Sequence, residues 1–204
     1  VPAFAPAALV PQAVERTERM PDALAELPAF HVAYHIPADR EPDHYPLEVL
    51  AIVLGDGESS RLYQELVKEK ELLQEIDVST DGRRGPDLFS VWAICAEGHA
   101  GAEARVVIDR QLHDIAEHGI DARELEKAKN RVRAGFVFGL QSNLQRAHRL
   151  AEYEMYFGDA NLLNVEVDRY LGVTAADVQR VARQYFAPTN RSVLDVLPDK
   201  LLGR

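Results

Sequence analysis

The chain has 204 residues, 47% of them hydrophobic and 27% charged, enough apolar material for one large domain or two small ones sharing a core. Asp and Glu outnumber Lys and Arg by 33 to 23, giving a net charge of −10 at pH 7. That balance disfavours nucleic acid and anionic membranes, which are gripped by basic faces that displace counterions.

The prolines at 2, 6, 11, 21 and 28 block a continuous helix, so residues 1–28 read as a linker or extended entry arm ahead of one domain over 29–204. Phe30, Val32, Tyr34 and Ile36 then alternate with His31, Ala33 and His35, the period of a half-buried strand. An apolar helix is expected from Tyr45 to Leu54, closed by Gly55, and a second from Ser59 to Lys70 with Ser59 as its cap. The turn between them, GDGESSRL, is not a phosphate loop: it follows a helix and has acids where a lysine is required. Glu75–Asp81 and Leu88–Glu97 read as an antiparallel hairpin. Cys95 lies in the second of these strands; as the single cysteine it forms no internal disulfide and reads as a core hydrophobe.

Gly101–His118 is predicted helical and stopped by Gly119. Asp121 with Glu124 resembles a capping box, opening a long helix that glycines 135 and 139 bend and Gly158 ends. Asn161–Leu171 makes another helix, and Thr174 with Asp177 caps a last one that stops before Pro188. Ser192–Leu197 is a final strand. The order implies an α+β fold, helices packed on a largely antiparallel sheet. No run of 18 apolar residues exists, so no membrane-spanning helix is expected. The start at Val1, without Met or a leader, reads as a cut piece of a longer protein.

Arg146 and Tyr153 stand out in the stretch Gly139–Asp159. Seven residues are almost two turns, about 10 Å, so both side chains project from one helix face. A guanidinium and a phenol so placed can grip a peptide backbone or an oxyanion, but they cannot activate a water. Arg149 and Tyr156 repeat the spacing one turn later. A cutting site is missing. In HDIAEH the histidines His113 and His118 are five apart, about 140° around the helix, and do not converge on a metal. His31 and His35 have no third ligand nearby, and no serine sits in a Gly-x-Ser-x-Gly elbow.

Three segments in order carry a resemblance: DHYPLEVLAIVLGDGESSRLYQELVKEKEL (Asp43–Leu72), SNLQRAHRLAEYEMYFGD (Ser142–Asp159) and VTAADVQRVARQYFAPTNRSVLDVLP (Val173–Pro198). Together the chain resembles, over roughly residues 29 to 198, the C-terminal non-catalytic domain of the insulinase, pitrilysin and mitochondrial-processing-peptidase family, nearest its bacterial short-chain branch. The resemblance implies a clamshell of two homologous α+β halves around an unfolded peptide. One half carries zinc on His-x-x-Glu-His and a distal glutamate. The other has lost the metal and supplies an arginine and a tyrosine, which the matching segment places at Arg146 and Tyr153. In that role Tyr153 donates to the oxyanion of the tetrahedral intermediate and Arg146 holds the peptide, each such donor contributing about 3 to 4 kcal/mol.

The zinc half is absent from these residues. The resemblance therefore implies zinc on a homologous domain or partner subunit, none on this chain, and no cleavage by this chain alone. Two other readings stay open: a proteolytically inactive scaffold or assembly subunit, and a module presenting a sheet edge to extended peptides. The compartment, bacterial periplasm or cytoplasm, is not legible.

Overall fold

In a computed structural model, which describes residues 12–201, five strands form one sheet with helices against it. The strands are β1 (Arg16–Asp22), β2 (Ala29–Ile36), β3 (Leu73–Thr80), β4 (Asp87–Cys95) and β5 (Arg191–Pro198), in the order β1-β5-β2-β4-β3. Only β1 and β5 run parallel; the other pairs are antiparallel. The α+β expectation holds. One correction concerns the entry arm. Arg16–Asp22 is a sheet strand, with Thr17 opposite Val193 and Met20 opposite Val196. Its Pro21 is tolerated because β1 is an edge strand, where one line of N–H groups needs no partner. The rest of that arm up to residue 11 lies outside the described residues.

Alternation on β2 decides which side of the sheet is the core. Phe30, Val32, Tyr34 and Ile36 are buried, whereas His31, Ala33 and His35 point to the other face. Onto the buried side packs α1 (His44–Gly55), which is covered nearly all round: ten of its twelve residues are buried. A helix so enclosed has no solvent face, so a polar residue on it must find a partner. Helix α6 (Ala175–Tyr185) lies beside it and α2 (Gly101–His118) packs on α6, with Ile108, Ile115, Val178 and Val181 in the same core. Phe186 closes that end by edge-on contacts with Tyr34 and Phe89, both at 4.8 Å between centroids.

The expected second helix starts later than predicted, at Arg61 after Ser60, and widens into a π-helix over Tyr63–Glu69. Ser60, not Ser59, ends the turn, donating its hydroxyl to the Gly57 carbonyl at 2.8 Å. The long helix through Arg146 is also corrected. It is two helices, α3 (Ala122–Gly139) and α4 (Asn143–Phe157), parted at Leu140–Ser142. Ser142 supplies the reason: its side chain accepts from the Gln145 N–H and caps a fresh start. The expected Asp121–Glu124 and Thr174–Asp177 capping boxes are both present. Gly158, at φ +70, ends α4 in the left-handed turn that glycine favours, and α5 (Leu162–Leu171) follows.

Candidate functional site

A pocket of about 320 Å³ opens where α3, α4, α5 and α1 meet, lined among others by Arg40, Glu48, Arg149, Tyr153, Glu166 and Tyr170. Helix α4 reaches the body mainly here. Tyr153, 4% exposed, is its single buried residue. Arg40, in the loop before α1, holds it: the guanidinium lies 5.3 Å from the Tyr153 ring and 4.8 Å from the Phe157 ring while pairing with Glu166 of α5. Arg40 adopts φ +69, a backbone conformation that costs a non-glycine residue of order 1 kcal/mol and persists because these contacts fix it.

The pocket floor is a network of buried polar groups. Glu166 also accepts from the Tyr45 hydroxyl at 3.1 Å, and burial, then the Glu166 charge, push that phenol up to about 12. On α1, Glu48 accepts from the Tyr170 hydroxyl at 2.6 Å and lies 3.4 Å from His44 Nε2. Burial raises the Glu48 carboxyl, but its bonds to His44 and Tyr170 outweigh that and leave it below the usual range. His44 is 2% exposed, with Asp39 at 3.5 Å and the fully buried Asp87 at 4.0 Å. Burial opposes its proton, yet Glu48, Asp39 and Asp87 together raise its pKa above the ordinary value.

The two residues singled out in the sequence are not brought together. Arg146 is exposed and turns back along its own helix, its Nε and Nη2 donating to the Leu140 carbonyl at 3.3 and 3.0 Å. Tyr153 lines the pocket, and the arginine lining it from the same helix is Arg149. Both predicted residues share one face of α4, but at Arg146 that face turns back to the α3–α4 turn, whereas at Tyr153 it packs against the body. Burial, then the Glu166 charge, raise the Tyr153 phenol, with Arg149 and Arg40 pulling against them.

Cations, phenols and carboxylates together line the site. Among the described residues no three His, Cys, Asp or Glu side chains are placed to bind a metal. His118 faces Asp114 at 3.0 Å on the exposed side of α2, away from His113. Cys95 is fully buried, and burial pushes its thiol up to about 11, far from a nucleophile's range. Sequence reasoning missed Arg40, His44 and Glu166. Two signals were available: His44 and Glu48 at i,i+4 in an apolar helix, and Glu166 inside the apolar run of α5.

The comparisons with known proteins agree with this inventory. A family model described as the peptidase M16 inactive domain matches residues 3–132. An uncharacterized zinc protease of Streptomyces coelicolor is 29% identical over 177 residues, covering 85% of this chain but 38% of the relative. The crystal structure of a protease from Helicobacter pylori superposes with a TM-score of 0.85 at 25% identity, over 93% of this chain and 46% of that one. The inactive peptidase domain from Bordetella parapertussis aligns at TM-score 0.75 and 27% identity, over 84% of this chain and 91% of that chain. The chain thus spans less than half of the longer relatives, and no helix among its described residues is long and apolar enough to cross a membrane. With its family model and fold in accord, the chain belongs to the M16 peptidases as their C-terminal, inactive domain.

Proposed function

We propose that this domain is the substrate-gripping half of a zinc endopeptidase whose zinc lies on a homologous half, on the same chain or on a partner subunit. The carrying observation is the match to an inactive peptidase domain spanning only 38% of a relative named a zinc protease. The site's chemistry fits a gripping role: Arg149 and Tyr153, a cation and a phenol that can donate, line one pocket. In this reading α4 supplies the donors, Tyr153 to the tetrahedral oxyanion and Arg146 to the peptide backbone. Arg146 must first release the Leu140 carbonyl and Tyr153 must turn out of its pocket, so closure of the two halves would assemble the pair.

The pocket favours a second assignment of the cation. Arg149 lines it with Tyr153 and makes no salt bridge among the described residues. Peptide hydrolysis by the complete assembly decides, comparing Arg146→Ala, Arg149→Ala and Tyr153→Phe at unchanged zinc content. Loss of a donor that acts only in the transition state lowers kcat about a hundredfold. If only Arg149→Ala and Tyr153→Phe do so, the gripping cation is Arg149. If none does, α4 is not the gripping element.

A further inference from the structure

Two carboxylates compete for the one guanidinium that anchors α4. Arg40 pairs with Glu166 and packs on Tyr153 and Phe157, while Asp39, its neighbour in the chain, lines the same pocket. His44 is what occupies Asp39. Its Nε2, at 3.5 Å, is the only ion-pair partner of that carboxylate among the described residues. The Asp39 side chain is 28% exposed, so it can turn once that partner is lost.

His44 is enclosed by acids from three elements: Asp39 in the loop before α1, Glu48 one turn along α1, and Asp87 on β4. Tyr170 of α5 donates to Glu48, Arg149 of α4 lines the pocket with it, and Arg83 of the β3–β4 turn lies 3.9 Å from Asp87. Glu48 is fixed by Tyr170, and Asp87 by the N–H groups of Gly82 and Leu88, both at 2.8 Å. The His44 Nδ1 is buried with no hydrogen-bond partner among the described residues, and one Nε2–H serves one carboxylate at a time. Asp39 and Asp87 are therefore satisfied by the charge of the ring. A neutral ring leaves three acids facing one another, and Asp39 is the one able to leave.

We propose that the proton on His44 latches α4 to the body. While it is bound, Asp39 is neutralised and Arg40 stays on Glu166, gripping Tyr153 and Phe157. Once it is lost, Asp39 draws the guanidinium to itself, the positive φ of Arg40 relaxes, and α4 loosens. Arg84, stacked on Tyr156 at 4.0 Å, keeps its charge throughout and holds the end of α4 in place. The surrounding acids bind the proton more tightly in the latched form, so rising pH releases it. On the gripping role proposed above, release frees Tyr153 to turn out of its pocket. The latch itself belongs to this chain and needs no zinc-bearing half, so it stands or falls apart from the catalytic reading.

The test is hydrogen exchange of α4 in the 204-residue chain from pH 6 to pH 9, corrected for the intrinsic rate, with α6 as internal control. If the two forms differ by about one pH unit in their hold on the proton, α4 exchanges about tenfold faster at the alkaline end while α6 stays flat. The midpoint of that step is expected to coincide with the His44 imidazole titration followed by NMR. His44→Gln should exchange fast in α4 at every pH. Asp39→Asn, which removes the competitor and keeps the imidazole, should flatten the step. His148→Gln, on α4 itself, should leave it intact. A flat wild-type profile, a step with another midpoint, or a step that survives in Asp39→Asn would each overturn the proposal.

Discussion

Removing Glu166 tests whether the polar floor holds α4 to the body. Its side chain is 7% exposed and that of its partner Arg40 is 9%. Truncating one member of a buried ion pair strands the other, at a cost of about 3–5 kcal/mol. The Tyr45 hydroxyl loses its acceptor as well, about another 1 kcal/mol. Arg40 also lines an open pocket and can turn toward water, which places Glu166→Ala at the lower end, about 3 kcal/mol. For a domain of this size each kcal/mol moves Tm by about 2–4 °C, so calorimetry should record a fall of about 6–12 °C. Glu126→Ala, on an exposed face of α3, is the control and should stay within about 0.5 kcal/mol of wild type. Because Arg40 stacks on Tyr153 and Phe157, Glu166→Ala should also hasten proteolytic nicking within α4. A melting temperature indistinguishable from that of the control would refute the reasoning.

Three further outcomes follow, two of them from buried groups. The folded state raises the pKa of His44 above its ordinary 6.5, so it binds the proton more tightly than the unfolded chain does. The stability His44 contributes is then complete below 6.5 and lost as pH rises through the folded pKa. The Tm gap between wild type and His44→Gln should accordingly narrow from pH 6 to pH 8; a widening gap would mean that the imidazole is neutral. Cys95 should resist iodoacetamide at pH 8 in the native chain and react once denatured, as its burial and raised thiol pKa require; rapid native labelling would contradict its place in the core. Metal analysis of the purified chain should find no stoichiometric zinc, and one tightly held zinc per chain would show a site that the described residues do not form.

Much of the architecture was legible because it depends on local rules. The period-two pattern around Phe30–Ile36 announced β2, and Gly119 and Gly158 marked helix ends through the positive φ each adopts. What depends on distant partners was not legible. β1 reads as an arm because Arg16–Asp22 lacks strand alternation; it becomes a strand through the β5 edge more than 170 residues away. The break at Ser142 hid behind continuous helical periodicity, since one capping hydroxyl outweighed it. The site failed for a related reason. Spacing placed Arg146 and Tyr153 on one face of α4, but only tertiary contact reveals that the body covers that face at one end. Arg40, the residue that anchors it, lies over a hundred positions upstream.

On the function proposed above, this domain completes a zinc peptidase instead of working alone. The most direct test is hydrolysis of an unfolded peptide by the zinc-bearing half, measured with this chain present and with it omitted. The zinc half alone is expected to retain its metal but lose activity about a hundredfold or more, since the donors and the enclosure that excludes water are gone. Equal turnover with and without this chain would contradict it, and would leave the domain a scaffold.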